Sequence, residues 1–241
     1  MPLIARLSRL LGVLAVAAAL PSSVHAVAPP LSVPAPVAPG PRAQLETLAK
    51  DSFVSTRVEG PKHAMRPDVF EYLLDHPDFA SHVTRALGLA RYRIWRASDG
   101  LWLDDGWGTR GTFTLIYAAR GLRLYHARGA FDQRFLPEMR GEAVAVFEYD
   151  FTSDGAGRTL VASRATGYLQ IDNKFLRTLG KVAAPFVQAK ADKETGQLLR
   201  VFARASRAIE ENPSEVYQKV SERADVPRQE LERFRELLRL P

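Results

Sequence analysis

The sequence predicts an α+β fold in which an antiparallel β-sheet meander packs against a long C-terminal helix. The hydrophobic period changes from helical to two at Tyr92, and it returns to about 3.6 residues after Asp172. Short turns rich in Gly and Asp separate the period-two segments, which is typical of successive antiparallel hairpins. A run of strands flanked by helices favours an arrangement with the helices on one side of the sheet.

The N-terminal part of the domain is predicted to contain one strand and two short helices. Residues 52–59 alternate between apolar and polar side chains and end in a Gly-Pro turn. The first helix begins at Pro67, because proline is tolerated in the first turn and Asp68 complements the positive end of the helix. The second helix is predicted over residues 78–87, and Gly88 ends it.

The meander forms the middle of the chain. Its predicted strands cover residues 92–96, 101–103, 111–119, 122–131, 142–151 and 159–171. The separators between them are short and contain Gly or Asp, and such turns connect neighbouring antiparallel strands. Each strand is therefore expected to pair with the next one in sequence.

A long helix, or two abutting ones, is predicted over residues 173–211. Its stripe of apolar residues is spaced at helical intervals and should pack on the sheet. The members of this stripe are Phe175, Leu179, Val182 and Phe186. Pro185 should kink the helix because it removes a backbone donor, and residues 192–196 should interrupt it. Further short helices are predicted over 213–224 and 227–240.

The first 26 residues are predicted to be a cleaved secretory signal peptide. Arg6 and Arg9 form its basic region, and the apolar stretch at 10–20 is too short to span a bilayer as a helix. Small residues precede a cleavage point after Ala26. We therefore expect a periplasmic or secreted protein that begins at Val27, with an uncleaved anchor as the alternative.

Residues 27–42 hold six of the 16 prolines of the chain. Such a composition favours polyproline II, so this segment is predicted to be a semi-rigid linker, with a proline-recognition ligand as the alternative. The folded domain is then expected to cover residues 43–211, followed by a helical tail at 212–241.

Composition and motifs exclude several kinds of chemistry. The chain has no cysteine, which excludes disulfides, Cys-ligated metals and a Cys nucleophile. Neither H-E-x-x-H nor G-x-S-x-G is present. Residues 106–111 spell G-x-G-x-x-G, but they lead into a strand, so we predict a turn and no dinucleotide site. We expect no cofactor and no metal, and we assign no catalytic residue. The net charge is +6, with basic and acidic residues interspersed along the chain, and this does not favour nucleic-acid binding.

Alternation along the strands divides their side chains between two faces. One face is apolar and aromatic with small residues between, and small residues opposite a long helix leave volume for a pocket. The predicted ligand-binding residues are Phe113, Leu115, Tyr117, Ala145, Phe147, Tyr149, Ala165, Leu179, Val182 and Phe186. A solid core built from the same aromatic residues is the alternative. The arginines of the sheet, including Arg123, are expected mostly on the solvated outer face.

The order of these elements resembles the helix-grip fold of the START-like superfamily, which includes polyketide cyclases and lipid-transfer domains. The resemblance is carried by the helix at 67–75, the hairpins from 92 to 171 and the long helix after Asn173. It covers about residues 51–209. The superfamily is defined by topology, and the extra tail after Pro213 departs from it.

The resemblance implies a ligand-binding fold with a cavity between sheet and long helix. We therefore expect a monomeric exported protein that holds a hydrophobic small molecule or a lipid, with transient membrane contact and no nucleic acid. The first alternative is a cyclase- or aromatase-like enzyme on the same fold, in which cavity side chains orient a proton transfer. The second alternative is a solid-core interaction protein of the cell envelope.

Overall fold

A computed structural model describes residues 28–98, 100–132, 138–172 and 184–241. Within these residues, eight strands form one antiparallel sheet in the order β1-β8-β7-β6-β5-β4-β3, with β2 also paired to β8. The strands are β1 (Val54–Glu59), β2 (His63–Ala64), β3 (Arg93–Ala97), β4 (Gly100–Asp104), β5 (Thr109–Ala119), β6 (Leu122–Phe131), β7 (Met139–Ser153) and β8 (Thr159–Ile171). The predicted α+β fold, with a meander from β3 to β8, is confirmed.

Six helices flank the sheet in the described part of the chain. They are α1 (Pro39–Lys50), α2 (Pro67–Asp75), α3 (Pro77–Ala86), α4 (Ala184–Glu211), α5 (Pro213–Ser221) and α6 (Arg228–Leu238). Four of them begin with proline in the first turn, where the missing N–H costs no helical hydrogen bond. None of these helices has the length and apolar character needed to cross a bilayer.

The two faces of the sheet are covered by different parts of the chain. The inner face of the sheet carries Phe147 and Tyr149 and packs against α2, α3 and the C-terminal helices. The outer face carries Leu124, Val144 and Tyr168 and packs against α1 and the residues before it. The meander is therefore a layer between two apolar clusters.

The segment predicted to be a linker is packed on the outer face. Val33 and Val37 are each 7% exposed, and α1 begins already at Pro39. The Arg42 guanidinium donates to the Val37 carbonyl at 2.9 Å, and the Tyr168 hydroxyl donates to the Pro29 carbonyl. Because prolines carry no N–H, this segment can lie on an apolar surface with few donors to satisfy. Residues 28–42 thus belong to the folded unit.

The long helix α4 is continuous through the point where an interruption was predicted. Gly196 is buried in its middle, and a Cβ there would lie 3.6 Å from the Val58 side chain of β1. Helix α4 therefore packs against the edge strand β1 at this point. The predicted part of the helix at 173–183, with Phe175, Leu179 and Val182, lies outside the described residues.

The C-terminal helices are part of the same core. Val216, Val220, Phe234 and Leu238 are buried together with Phe79 of α3, whose ring lies 5.1 Å from that of Phe234. The predicted tail is thus integrated into the domain, because its two apolar stripes cover α2 and α3.

Candidate functional site

One row of inner-face residues runs in register across four strands. Leu115 of β5 faces Tyr125 of β6, which faces Ala145 of β7, which faces Gly167 of β8. Ala145 is exposed and Leu115 is 38% exposed, although both lie on the face that packs against the helices. This accessible apolar row, which we call the inner row, is the centre of the candidate site.

The next two rows of the inner face have only small residues on β6 and β7, and the first of these rows is flanked by Phe113 of β5 and Leu169 of β8. Ala127 pairs with Ala143, and the next row holds Gly111, Gly129 and Gly141 in register. A Cβ at Gly111 would lie 2.3 Å from the Arg128 carbonyl oxygen, and one at Gly141 would lie 2.5 Å from that of Gln170. The glycines are thus required by close strand approach. A consequence is a floor of backbone and methyl groups beside the inner row.

Aromatic residues close one end of this floor. The Phe70 ring lies 5.1 Å from Tyr149, 5.7 Å from Phe151 and 5.3 Å from Phe202 of α4. Phe70 is fully buried and Tyr149 is 2% exposed. This end of the inner face is a solid core, and the accessible volume begins only at the inner row.

Helix α4 lies across the other end. The Gln188 side chain donates to the Ser55 carbonyl of β1 at 2.7 Å, while the Lys190 ammonium lies 5.6 Å from the Phe131 ring at the end of β6. The same helix therefore touches both β1 and β6. Leu198, one turn before Phe202, is 51% exposed. Leu198 thus remains accessible, although it shares a face of the helix with Phe202.

Two hydroxyl groups provide polar contacts near the inner row. The Thr56 hydroxyl of β1, whose strand pairs with β8 at Gly167, is buried and has no hydrogen-bond partner among the described residues. The Tyr125 hydroxyl lies 3.4 Å from the Leu74 carbonyl oxygen, and burial raises the pKa of Tyr125 to about 12. Tyr125 is therefore a neutral hydrogen-bonding group at physiological pH.

A second polar arrangement lies at the aromatic end. The buried Arg123 guanidinium donates to the Asp75 carboxylate at 2.9 Å and to the Tyr149 hydroxyl at 3.0 Å. The Tyr149 hydroxyl donates in turn to Glu71 at 3.0 Å. Arg123 and Glu71 also line an open cavity of about 380 Å³. Burial raises the pKa of the Tyr149 phenol, and the Arg123 charge opposes this.

Arg123 departs from the expectation that the sheet arginines are solvated. It lies on the inner face in register with Phe147 and is 5% exposed. The alternation along β6 indicated this position, because residues two apart share a face and Arg123 alternates with Tyr125 and Ala127. Arg93, Arg128 and Arg164 lie on the outer side of the sheet, as expected.

The structure places six of the predicted ligand-binding residues on the inner face. These are Phe113, Leu115, Ala145, Phe147, Tyr149 and Ala165. Their role in binding a ligand stays a prediction. Leu179 and Val182 lie outside the described residues.

Two predicted positions are wrong. The register of β5 shifts between Leu115 and Tyr117, so Tyr117 pairs with Leu124 and packs in the outer cluster. A β-bulge adds one residue to a strand and moves every later side chain to the opposite face. Phe186 does not pack on the sheet, because its side chain is 66% exposed in the first turn of α4.

Among the described residues, no three His, Asp or Glu side chains come together in a way that could hold a metal ion. His126 pairs with one carboxylate, Glu142, at 3.0 Å. The G-x-G-x-x-G segment forms the turn from β4 into β5, and no helix follows it. The geometry therefore presents an apolar surface with hydroxyl contacts and a separate Arg–Tyr–Glu arrangement.

No protein-family model matches the chain, and no curated protein matches its sequence. Among solved structures, a conserved protein from Geobacillus kaustophilus has a TM-score of 0.43 at 10% identity and covers 64% of this chain and 97% of its own. A hypothetical protein from Helicobacter pylori has a TM-score of 0.37 at 13% identity and covers 76% and 99%. Norcoclaurine synthase from Thalictrum flavum has a TM-score of 0.32 at 12% identity and covers 66% and 89%. The helix-grip description of this chain rests on its own strand order and long helix.

Proposed function

We propose that the chain is an exported binding protein that holds a hydrophobic or amphipathic ligand, of lipid type, between the inner face of the sheet and α4. The observation that carries this proposal is the inner row, where Leu115 and Ala145 remain accessible on a face that otherwise forms the core. Accessible apolar surface enclosed by a sheet and a helix is what an apolar ligand covers.

The chemistry of the floor favours a flexible aliphatic chain as the ligand. Methyl groups of Ala127, Ala143 and Ala145 and the backbone of Gly141 offer apolar contact without directional hydrogen bonding. Each methylene removed from water contributes about 0.8 kcal/mol, so a chain of about twelve gains about 10 kcal/mol before the costs of ordering. The hydroxyls of Thr56 and Tyr125 are available to a polar head or a carbonyl group.

Export is supported by the sequence of the first 26 residues, with its basic start, short apolar stretch and small residues before Val27. An exported carrier meets lipids on the outer side of the inner membrane. The compartment and the ligand class are therefore consistent with one another.

The decisive experiment expresses the full chain with a C-terminal tag and purifies it from the periplasmic fraction. N-terminal sequencing is expected to start at or near Val27. Organic extraction of the purified protein followed by mass spectrometry is expected to release a lipid in near-stoichiometric amount. A cytoplasmic protein that begins at Met1 contradicts the export, and a protein that releases no apolar compound and takes none up contradicts the carrier.

A cyclase- or aromatase-like enzyme is the second candidate, favoured by the Tyr149 hydroxyl between Arg123 and Glu71. A carboxylate that accepts from a phenol beside an open cavity can move a proton to or from a bound substrate. Incubation with a linear poly-β-ketone tests this reading. Conversion that is lost in Glu71→Gln supports the enzyme, and the absence of conversion by the wild-type protein contradicts it.

A further inference from the structure

All three tryptophans of the chain lie at one edge of the sheet. Trp95 of β3 pairs directly with Trp102 of β4, and their rings stack at 6.2 Å with an angle of 18°. Trp107 lies in the loop between β4 and β5. Trp95 is 37% exposed and Trp107 is 64% exposed. Tryptophan is among the most apolar and least abundant side chains, so its concentration on an exposed edge calls for a partner.

The loop that carries Trp107 is built to present it. Gly106 and Gly108 on either side have φ values of +73° and +112°, which only glycine adopts easily. One carboxylate oxygen of Asp105 accepts the backbone N–H groups of Trp107 at 2.7 Å and of Thr109 at 2.9 Å. The loop is therefore held in one conformation with the indole outward. A preorganised exposed ring loses little entropy when it binds.

Arginines accompany two of these rings. The guanidinium carbon of Arg91 lies 5.7 Å from the Trp107 ring centre, and that of Arg93 lies 5.7 Å from the Trp95 ring centre. Both arginines are exposed, and neither forms an ion pair with a described residue. Cation–π contact holds a guanidinium beside an indole and leaves its outward N–H groups available.

The nearby carboxylates are already engaged within the protein. Asp104 accepts the Gly106 N–H at 2.8 Å and the Arg110 guanidinium at 2.8 Å, and Asp105 holds the loop backbone. These contacts lower the pKa of Asp104, so it stays charged but paired. The exposed surface thus combines indole rings with two arginines that form no ion pair within the described part of the chain, although the Arg93 charge also acts on Asp104.

We propose that this surface, the tryptophan edge formed by Arg91, Arg93, Trp95, Trp102 and Trp107, docks the protein on a bilayer that contains anionic phospholipid. Indole rings partition to the headgroup level of a membrane, and arginines near an anionic surface are attracted by its potential. A protein partner is less suited, because the outer face beyond the edge carries polar residues such as Thr112 and Arg128. The inference rests on the proposed function, since a lipid carrier must meet a membrane to load.

Vesicle flotation with the full exported chain tests the docking. The probes are vesicles of phosphatidylcholine alone and of phosphatidylcholine mixed with phosphatidylglycerol. We expect binding to the mixed vesicles that weakens with added salt, and a blue shift of the tryptophan emission on binding. Because every tryptophan belongs to this edge, that emission reports the edge directly.

Two variants and one control locate the contact. Arg91→Gln with Arg93→Gln is expected to weaken vesicle binding by about thirtyfold, because each arginine near an anionic surface contributes about a fivefold effect. Trp107→Ala should lose most of the blue shift. The control, Arg204→Gln with Arg228→Gln, removes the same charge from exposed positions on α4 and α6 and should bind as the wild type does.

The outcome separates this inference from the carrier proposal. A tryptophan-edge variant that still retains extractable lipid but no longer floats supports docking. Equal binding to both kinds of vesicle, no binding to either, or unchanged binding in both edge variants overturns it. In the case of no binding, the edge is left for a protein partner. Loss of the ligand with intact flotation overturns the carrier proposal alone.

Discussion

The Arg123 guanidinium donates to the Tyr149 hydroxyl at 3.0 Å, and both side chains are at most 5% exposed. The two residues lie on neighbouring strands of the inner face, one row apart. Arg123 also donates to the carbonyl oxygens of Ala119 and Leu122, so its N–H groups tie the β5–β6 turn to the core. A buried cation with this many partners positions the aromatic end of the sheet.

Replacing Arg123 should therefore be costly. Arg123→Met removes the donors of two carbonyl groups and of the Tyr149 hydroxyl, and the expected loss in the free energy of unfolding is about 3 kcal/mol. Arg164→Met is the matched control, because Arg164 is 36% exposed and pairs with Glu59 on the outer face. That change should cost less than about 1 kcal/mol. Urea denaturation measures both, and equal losses would contradict the structural role.

Filling the inner row should block the ligand without unfolding the protein. Ala145→Trp places an indole over an accessible floor, so lipid uptake should fall while the melting temperature stays within a few degrees. Ala165→Trp lies one row nearer the aromatic core, so it should overpack and cost about 1–3 kcal/mol. Thr114→Trp on the exposed outer face is the control for size. Strong destabilisation by Ala145→Trp would favour a solid core instead.

The exposed aromatic of α4 should matter little for stability. Phe186→Ala is expected to cost less than about 1 kcal/mol, because that side chain is 66% exposed. Phe234→Ala in the fully buried C-terminal core should cost about 3–5 kcal/mol. Thermal or chemical denaturation compares the two. A large loss for Phe186→Ala would mean that this side chain is covered in solution.

Acid should destabilise the protein through His63. Burial lowers its pKa, a hydrogen bond to the Pro61 carbonyl partly compensates, and the Arg207 charge lowers it further. The unfolded chain then binds the proton more readily than the folded one, so stability is present above pH 6.5 and is lost as the pH falls towards the folded pKa. The His82 pKa is lowered by burial in the same direction.

Unfolding titrations at a series of pH values measure this effect. His63→Gln should flatten the decline of stability below pH 6.5, and adding His82→Gln should flatten it further. An identical pH dependence in the wild-type protein and the double variant would rule out these two histidines as its source.

The N-terminal segment should contribute to stability although its composition is that of a linker. Val37→Asp introduces a charge at a site that is 7% exposed in the outer cluster, so a loss of about 2 kcal/mol or more is expected. Ala35→Asp, two residues away at a less buried position, is the control. Amide exchange of β7 should also accelerate in Val37→Asp. Equal and small effects of both changes would mean that residues 28–42 act only as a linker.

Local patterns in the sequence determined the strands of the meander and their pairing with one another. The boundaries of β6 and β8 agree with the predicted ranges, because unbroken alternation ends there at residues with strong turn preferences, Gly121 and Gly157 among them. Antiparallel pairing between neighbours follows from short turns. The helices at Pro67 and Pro213 begin where proline predicts, since their signals lie within a few residues of the sequence.

Tertiary structure alone decided which residues the candidate site contains. The bulge after Leu115 moves Tyr117 to the outer face, and alternation cannot reveal an inserted residue. The burial of Arg123 depends on Asp75 and Tyr149, which are far away in sequence. The proline-rich segment packs because Tyr168 and Val144 offer it an apolar surface. Periodicity is a local property, whereas the register of a strand and the surfaces that a segment covers depend on contacts between distant parts of the chain.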